Sequence, residues 1–235
     1  MGKREHKSSG PEAEFGGELP DAWYELGEEV MTQEATVTRG KGAEVRKSVV
    51  VRFAGDSGDG MQVTGGQFTN STAMLGHDLA TFPDYPAEIR APVGTTFGVS
   101  GFQVHFASHE VLTPGDVADV LVAMNPAALK VSLPLLRGDG VIVLNTGAFT
   151  EANLKKAGYA NSPLEDDSLE GRRVIEVNIT KLAVDSVKDM GLGMKAAQRC
   201  KNFWALGLVY WIFGRELRPT ITWLEAKFAK KPELA

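Results

Sequence analysis

The stretch VVVRFAGDSGDGMQVTGGQF, from Val49 to Phe68, decides the fold of this protein. A short apolar run meets a glycine-rich loop that contains two aspartates, and a segment rich in small residues follows. The run is too short for a helix and is typical of a strand buried on both faces. The stretch therefore predicts a strand, a tight loop and a helix, with the helix extending over 61–75.

Strands and helices alternate along the rest of the chain. Apolar patterns predict further strands at 79–83, 119–124, 140–145 and 172–178, and helices at 126–136, 181–191, 194–213 and 220–231. The segment Val99–Ser108 alternates apolar with polar residues, which is typical of a half-buried strand that is antiparallel or at an edge. The pattern predicts a three-layer, Rossmann-like α/β domain with a mostly parallel, mixed sheet of about six strands.

Composition argues against several function classes. The chain has 235 residues and a net charge of −5, without the basic face that nucleic-acid binding requires. A single cysteine, Cys200, excludes an internal disulfide and an iron–sulfur cluster bound by this chain alone, and we expect it in the core. No apolar run approaches the ~20 residues that span a bilayer. We expect a cytoplasmic protein with no nucleic-acid or membrane partner.

The chain divides into three parts. Residues 1–46 have few branched apolar residues and are predicted to be a flexible N-terminal extension. Within it, Asp21–Met31 carries aromatic and apolar residues that predict either a short docking helix or an arm that folds on a partner. Residues 47–231 form the predicted domain, and residues 232–235 form a tail or the start of a linker.

The glycine loop admits a dinucleotide-binding interpretation. Its glycines, Gly55, Gly58 and Gly60, are spaced G-x-x-G-x-G, the reverse of the G-x-G-x-x-G fingerprint. The acid at the right distance, Asp78, precedes its strand and would lie at the wrong end to reach a ribose. The order of the glycines and the place of the acid both weaken this interpretation.

A thiamine diphosphate site is a second interpretation. Gly58-Asp59-Gly60 matches the GDG that opens that motif, in which the aspartate binds Mg²⁺. The motif needs an asparagine some two dozen residues later, but Asn70 comes too early and Asn125 too late. A Mg²⁺ shared with a diphosphate needs about two protein oxygens, so no metal site is predicted on this chain.

A third interpretation is structural. Asp59 or Ser57 is predicted to accept a hydrogen bond from the first N–H groups of the helix. Gly65 and Gly66 are predicted to let the helix approach the sheet closely. A capped helix end can still offer N–H groups to a ligand from another subunit. Four loop residues therefore remain candidates for ligand binding: Gly55, Ser57, Gly58 and Gly60.

Four other segments accompany the loop, in the order TFPDYPAEIRAPVGTTFGVSGFQVHFAS, ADVLVAMNPAAL, GDGVIVLN and RCKNFWALGLVYWIFG. Together they resemble the γ domain of 2-oxoacid:ferredoxin oxidoreductases, of the kind fused to the N-terminus of the 2-oxoglutarate:ferredoxin oxidoreductase α subunit. The resemblance covers Lys47 to Lys231. This chain has Ile89-Arg90-Ala91-Pro92 where the family usually has Ile-Arg-Gly-Gly.

The resemblance implies an activity of a multi-subunit enzyme in central carbon metabolism: a 2-oxoacid such as 2-oxoglutarate, coenzyme A and oxidised ferredoxin give an acyl-CoA, CO₂ and reduced ferredoxin. Thiamine diphosphate, Mg²⁺ and [4Fe-4S] clusters are expected in thiamine-binding α-type and β-type partners, with ferredoxin as partner of the complex. This chain is then inactive alone and has no catalytic residue. Two alternatives stay open, a free-standing nucleotide- or phosphate-binding domain and a pure assembly module.

Several residues are candidates for roles in a shared site. Arg90 is the first choice for an anionic ligand, because guanidinium matches a carboxylate or phosphate in a fork; pairing with Glu88 or another acid is the alternative. Tyr85 is expected to pack, and also remains a ligand candidate with Glu88. Asn202, at the start of a buried helix, is expected to tie a loop. Asp59 and Asn202 are assigned structural or interface roles.

Overall fold

The computed structural model describes residues 46–88 and 90–235, so the predicted N-terminal extension lies outside the described residues except for Arg46. In the described part the chain forms one six-stranded sheet and seven α-helices. The strands are β1 (Ser48–Asp56), β2 (Asp78–Asp84), β3 (Val99–Ala107), β4 (Ala118–Ala123), β5 (Leu136–Asn145) and β6 (Arg173–Val177). The helices are α1 (Met61–Met74), α2 (Pro126–Ser132), α3 (Glu151–Lys156), α4 (Ile179–Ser186), α5 (Met194–Arg199), α6 (Lys201–Ile212) and α7 (Arg218–Lys227).

The strand order is β2-β3-β1-β4-β5-β6. Strands β1, β4, β5 and β6 pair in parallel, while β3 pairs antiparallel with both β1 and β2. The predicted mostly parallel, mixed sheet is confirmed, and the alternating segment is an antiparallel strand. The expectation that it is half-buried is wrong, because Gln103 is 4% exposed and donates to the carbonyls of Pro114 and Gly115 at 2.9 and 2.6 Å.

Helices cover both faces of the sheet. One apolar cluster joins the sheet to α1, α4 and α6, and a second joins the opposite face to α2. This is the predicted three-layer arrangement. The single helix predicted over 194–213 is instead two helices. They meet at Cys200, whose N–H donates to the Ala197 carbonyl at 3.0 Å. Cys200 is half-buried rather than in the core.

Helix α1 lies close to β3 at one glycine. A Cβ on Gly65 would lie 2.1 Å from Cδ1 of Phe102, which confirms that this residue must be small. The same prediction is wrong for Gly66, around which a Cβ would meet nothing within 4 Å. The tight contact fixes the position of α1 and therefore of the loop that precedes it.

An aromatic cluster on this face surrounds Phe68 of α1. The Phe68 ring lies 5.6 Å from that of Phe106 and 5.7 Å from that of Phe213, both edge to face. The Arg215 guanidinium lies 4.9 Å from the Phe106 ring centre, and no acceptor among the described residues bonds its nitrogens. Burial lowers the pKa of Arg215 to about 10, so the side chain keeps its charge at neutral pH.

A buried arginine stands within β1 on the opposite face. Arg52 is 2% exposed, its Nε donates to Ser132 Oγ at 3.3 Å, and its guanidinium pairs with Asp84 at the end of β2. A Cβ on Gly101 of β3 would lie 2.8 Å from Arg52 Nη2. The glycine therefore opens the path along which Arg52 crosses β3 to reach β2.

Candidate functional site

Three loops meet at one edge of the sheet. Strands β1 and β4 are parallel, and β2 runs in the same direction as β1 because both are antiparallel to β3. The loops that follow β1, β2 and β4 therefore leave from the same carboxyl edge. Open α/β sheets place ligands in crevices at this edge. We take these loops as the candidate functional site.

The loop after β2 is fastened to the glycine loop. Asp56, the last residue of β1, is 8% exposed and accepts the Gly94 N–H at 3.1 Å. The Ser57 N–H donates to the Gly98 carbonyl at 3.1 Å. These two bonds bring the segment that contains the candidate Arg90 against the glycine loop. Sequence reasoning named both loops without predicting their contact.

The Asp56 carboxyl lies in an unfavourable electrostatic environment. Burial raises its pKa, and the negative charge of Asp59 raises it further. The Gly94 N–H, the charge of Lys201 and the side chain of Asn125 act in the opposite direction but do not cancel the rise. The ionised form of Asp56 is therefore disfavoured in the folded protein.

Asp59 organises the loop in a different way from the one predicted. Its Oδ2 accepts the N–H of Asp56 at 3.1 Å, and its Oδ1 lies 2.8 Å from Nζ of Lys201, the first residue of α6. The prediction that Asp59 or Ser57 caps α1 is wrong, because the N-cap is Gly60 and no side chain bonds there. A positive φ of 78° at Gly60 turns the chain into the helix.

Two buried amides stand at this edge with unsatisfied atoms. Asn125 caps α2 by accepting the Ala128 N–H at 2.8 Å, while its Nδ2 interacts with the Asp56 carboxyl without forming a hydrogen bond of normal geometry to any described residue. Asn202 is 8% exposed and lies against Gly60, and its Oδ1 also has no hydrogen-bond partner among the described residues. Asn202 therefore contacts the turn at Gly60 without a hydrogen bond from its Oδ1, and its role in tying a loop stays a prediction. Buried amides without partners are uncommon, so the edge has capacity to bind a polar group or water.

The other candidates divide between the surface and the loop interior. Tyr85 is 68% exposed, so it does not pack within the described part of this chain, and its packing stays a prediction. Arg90 and Glu88 are exposed, and Arg90 forms no ion pair with the carboxylates of residues 46–88 and 90–235. Gly55 is enclosed, since a Cβ there would lie 3.0 Å from Asp59 Oδ2.

Sequence reasoning missed Asn125 and Lys201 as members of the site. Asn125 stands before Pro126 at the start of α2, and an asparagine N-cap followed by proline at the first helical position is a recognisable pattern. Lys201 lies at the start of α6, 142 positions after the Asp59 that it pairs with. No local pattern predicts so distant a pairing.

The turn into α1 gives a first testable prediction. Gly60→Ala is expected to lower the free energy of unfolding by about 1–2 kcal/mol, because the left-handed backbone disfavours a Cβ. That Cβ would also lie 2.5 Å from Asn202 Nδ2. Gly58→Ala is the matched control, since a Cβ there meets nothing within 4 Å. Urea unfolding measures both, and equal losses in the two variants would contradict this account of the turn.

The raised pKa of Asp56 gives a second prediction. Below the unfolded pKa of about 3.9 the carboxyl is protonated in both states, and the unfavourable ionisation appears as pH rises through the higher folded pKa. Asp56→Asn keeps an oxygen that accepts the Gly94 N–H. The substitution is expected to raise the melting temperature at pH 7, and to raise it less at acid pH. Thermal unfolding of both proteins from acid pH to pH 7 measures this difference in melting temperature. Asp59→Asn, which loses the ion pair with Lys201, should instead have a lower melting temperature at pH 7. A gain that does not change with pH would contradict the assignment.

The site residues do not fit a thiamine diphosphate or an iron–sulfur cluster. Lys201 and the Asp56 N–H occupy the Asp59 carboxylate, so it is not free to hold Mg²⁺. Within 46–88 and 90–235, no three His, Cys, Asp or Glu side chains are grouped to hold a metal ion. In this part of the chain, none of the helices has the length and apolar character needed to span a membrane.

The fold and the edge define a class of protein: a three-layer α/β domain with a mixed sheet and a glycine loop at the carboxyl edge of β1. Residues 50–235 match the sequence profile of the family described as "Pyruvate ferredoxin/flavodoxin oxidoreductase". The chain belongs to this family. It is 51% identical over 189 residues to the "2-oxoglutarate oxidoreductase subunit KorA" of Mycobacterium tuberculosis, covering 80% of this chain and 29% of that protein.

Solved structures agree with this placement. The structure titled "2-oxoglutarate:ferredoxin oxidoreductase from Magnetococcus marinus with 2-oxoglutarate, coenzyme A and succinyl-CoA bound" matches with a TM-score of 0.59 and 25% identity, over 79% of this chain and 28% of that chain. The γ subunit of a keto/oxoacid ferredoxin oxidoreductase from Geobacter sulfurreducens shares the fold, with a TM-score of 0.52 and 17% identity, over 79% of this chain and 92% of that chain. The chain thus spans less than a third of the length of the Mycobacterium relative and of the Magnetococcus chain.

Proposed function

We propose that this chain is the γ-type domain of a cytoplasmic 2-oxoacid:ferredoxin oxidoreductase. The complete enzyme converts a 2-oxoacid such as 2-oxoglutarate, coenzyme A and oxidised ferredoxin to an acyl-CoA, CO₂ and reduced ferredoxin. The observation that carries the proposal is the 51% identity over 189 residues to a 2-oxoglutarate oxidoreductase subunit. The solved Magnetococcus enzyme with 2-oxoglutarate and coenzyme A supports the same substrates.

In this proposal the chemistry belongs to partner domains or subunits. Thiamine diphosphate, bound there with Mg²⁺, supplies the electron sink for decarboxylation, and [4Fe-4S] clusters there carry the electrons. The single, half-buried Cys200 and the occupied Asp59 carboxylate of this chain support that division. The chain alone is expected to be inactive.

The role of this domain is to form one wall of a shared site. The loop after β2 presents an apolar outer face, with Tyr85, Val93 and Phe97 exposed by 68%, 72% and 56%. Exposed apolar patches of this kind mark interaction surfaces. Arg90 stands in the same loop with no carboxylate partner in the described part of the chain, and so can receive an anionic ligand. We assign it to a phosphate of coenzyme A or to the 2-oxoacid carboxylate.

The experiment that tests the function is purification of the tagged chain from its native cells under anaerobic conditions. The expected product is a complex that contains thiamine diphosphate and iron–sulfur clusters and reduces ferredoxin with a 2-oxoacid and coenzyme A. A monomer that retains a nucleotide would overturn the proposal in favour of a free-standing nucleotide-binding domain. A stable complex without oxidoreductase activity would favour the second candidate, a pure assembly module, which the exposed face of the β2 loop also supports.

The ligand role of Arg90 is tested in that assembled enzyme. Loss of a hydrogen bond to a charged group costs about 1.5–3 kcal/mol, so Arg90→Ala should raise the Michaelis constant of one substrate about tenfold or more. Arg90→Lys should recover only part of the loss, because a lysine keeps the charge but not the fork. Arg218→Ala, at an exposed arginine of α7, is the control. Unchanged constants for both the 2-oxoacid and coenzyme A would remove the proposed role.

A further inference from the structure

Charge is distributed unevenly along this chain. Residues 1–45 carry ten acidic and five basic side chains, a net charge of −5, while residues 188–235 carry nine basic and four acidic, a net charge of +5. The asymmetry is sharpest between Ser8 and Thr38, where eight acidic residues occur without a basic one. This stretch also contains aromatic residues, Phe15, Trp23 and Tyr24.

The described C-terminal helices present the opposite charge. The exposed basic side chains of this part are Lys188, Lys195, Arg199, Arg218, Lys227, Lys230 and Lys231. None of them forms an ion pair with a carboxylate of the residues that the structure describes. A positive surface of this kind is available to a negatively charged segment.

Apolar side chains lie on the same helices or just before them. Met190 and Met194 are 67% and 64% exposed, and Leu217 and Ile221 are 53% and 44% exposed. The two groups are linked, because α5 leads directly into α6 and the Phe203 ring of α6 lies 6.4 Å from the Trp223 ring of α7. We call the exposed side chains of α5 and α7, with Lys188 and Met190, the C-terminal basic surface.

We infer that residues 12–34 of the same chain dock on the C-terminal basic surface. The glutamates of that segment match its lysines and arginines, and Trp23 and Tyr24 match its exposed methionines and isoleucine. The connection is long enough, since the 11 residues 35–45 reach about 36 Å when extended, more than twice the radius of gyration of about 16 Å for a domain of this size. Covalent linkage raises the effective concentration to millimolar, so weak contacts suffice.

The test is zero-length carbodiimide cross-linking of the full-length chain, which joins carboxylates to lysine amines in direct contact. Equal amounts of unlabelled and ¹⁵N-labelled protein are mixed first, so that links within one chain are distinguished from links between chains. We expect same-isotope links from Glu18, Glu25, Glu28 or Glu29 to Lys188, Lys195 or Lys227. In about 1 M salt, where the Debye length falls to about 3 Å, the yield of these links should fall severalfold.

A variant with its control completes the test. Glu25→Gln/Glu28→Gln/Glu29→Gln should reduce the remaining links to the C-terminal basic surface severalfold and increase amide hydrogen exchange in α5 and α7. Glu165→Gln/Asp167→Asn/Glu170→Gln, at three exposed acids of the folded domain, should change neither. The inference is overturned by mixed-isotope links, which show docking on a second copy. It is equally overturned if the links form mainly to Lys155 and Lys156 of α3. Unchanged amide hydrogen exchange in α5 and α7 of the Glu25→Gln/Glu28→Gln/Glu29→Gln variant would also overturn it.

Discussion

Phe68→Ala is expected to lower the free energy of unfolding by about 3–5 kcal/mol, the range for removing a buried aromatic side chain. Phe68 is fully buried, and its ring contacts those of Phe53, Phe106 and Phe213 from three sides. The cavity would lie between α1, the sheet and the end of α6. Equilibrium urea unfolding, followed by circular dichroism, measures the loss.

Met74→Ala is the matched control, because Met74 belongs to the same helix but is 68% exposed. It should change the free energy of unfolding by no more than about 0.5 kcal/mol. A loss below about 2 kcal/mol for Phe68→Ala would show that the aromatic cluster can repack. The description of Phe68 as the centre of this core would then be wrong.

Asp84→Ala is expected to lower the free energy of unfolding by about 2–4 kcal/mol, because it leaves the Arg52 guanidinium charged and buried without its carboxylate partner. Arg52 is 2% exposed, and Ser132 would remain as its only side-chain partner among the described residues. Arg52→Met should cost less, since Asp84 is 37% exposed and can recover hydration. The double variant Arg52→Met/Asp84→Ala should lose no more free energy of unfolding than Asp84→Ala alone.

The comparison is completed by an exposed ion pair. Lys181 and Asp185 of α4 lie 3.5 Å apart with side chains 72% and 51% exposed, so Asp185→Ala should cost below about 0.5 kcal/mol. Additive losses for Arg52→Met and Asp84→Ala would contradict the proposed coupling.

Much of the fold was predictable because its strands are short and apolar. The runs at 119–124 and 140–145 are largely buried on both faces, and their short length and their β-branched residues distinguish them from helices. The alternating segment 99–108 was predicted to be half-buried and is instead largely covered. Its polar Gln103 bonds the carbonyls of a loop that folds over it, and a side chain satisfied in this way has no sequence signature.

The location of the candidate site was predictable, but its hydrogen bonds and ion pairs were not. The glycine loop and the segment around Arg90 were both identified, since glycines and prolines mark loops at strand ends. The roles of the aspartates were not, because Asp59 bonds backward to Asp56 and across to Lys201 rather than forward to α1. A cap is a local interaction that a sequence can predict, whereas an ion pair with a distant helix depends on where that helix packs.

The amino-acid sequence by itself determined the α/β class, the strand–loop–helix unit at Val49–Phe68 and the family resemblance, because each follows from short local segments and their order along the chain. Only the tertiary structure decided that β3 lies inside the sheet, that Arg52 reaches Asp84 and that Gly94 bonds Asp56. Those features arise when distant segments exclude water together. The burial that makes a charge costly, and a partner necessary, exists only after the layers have packed.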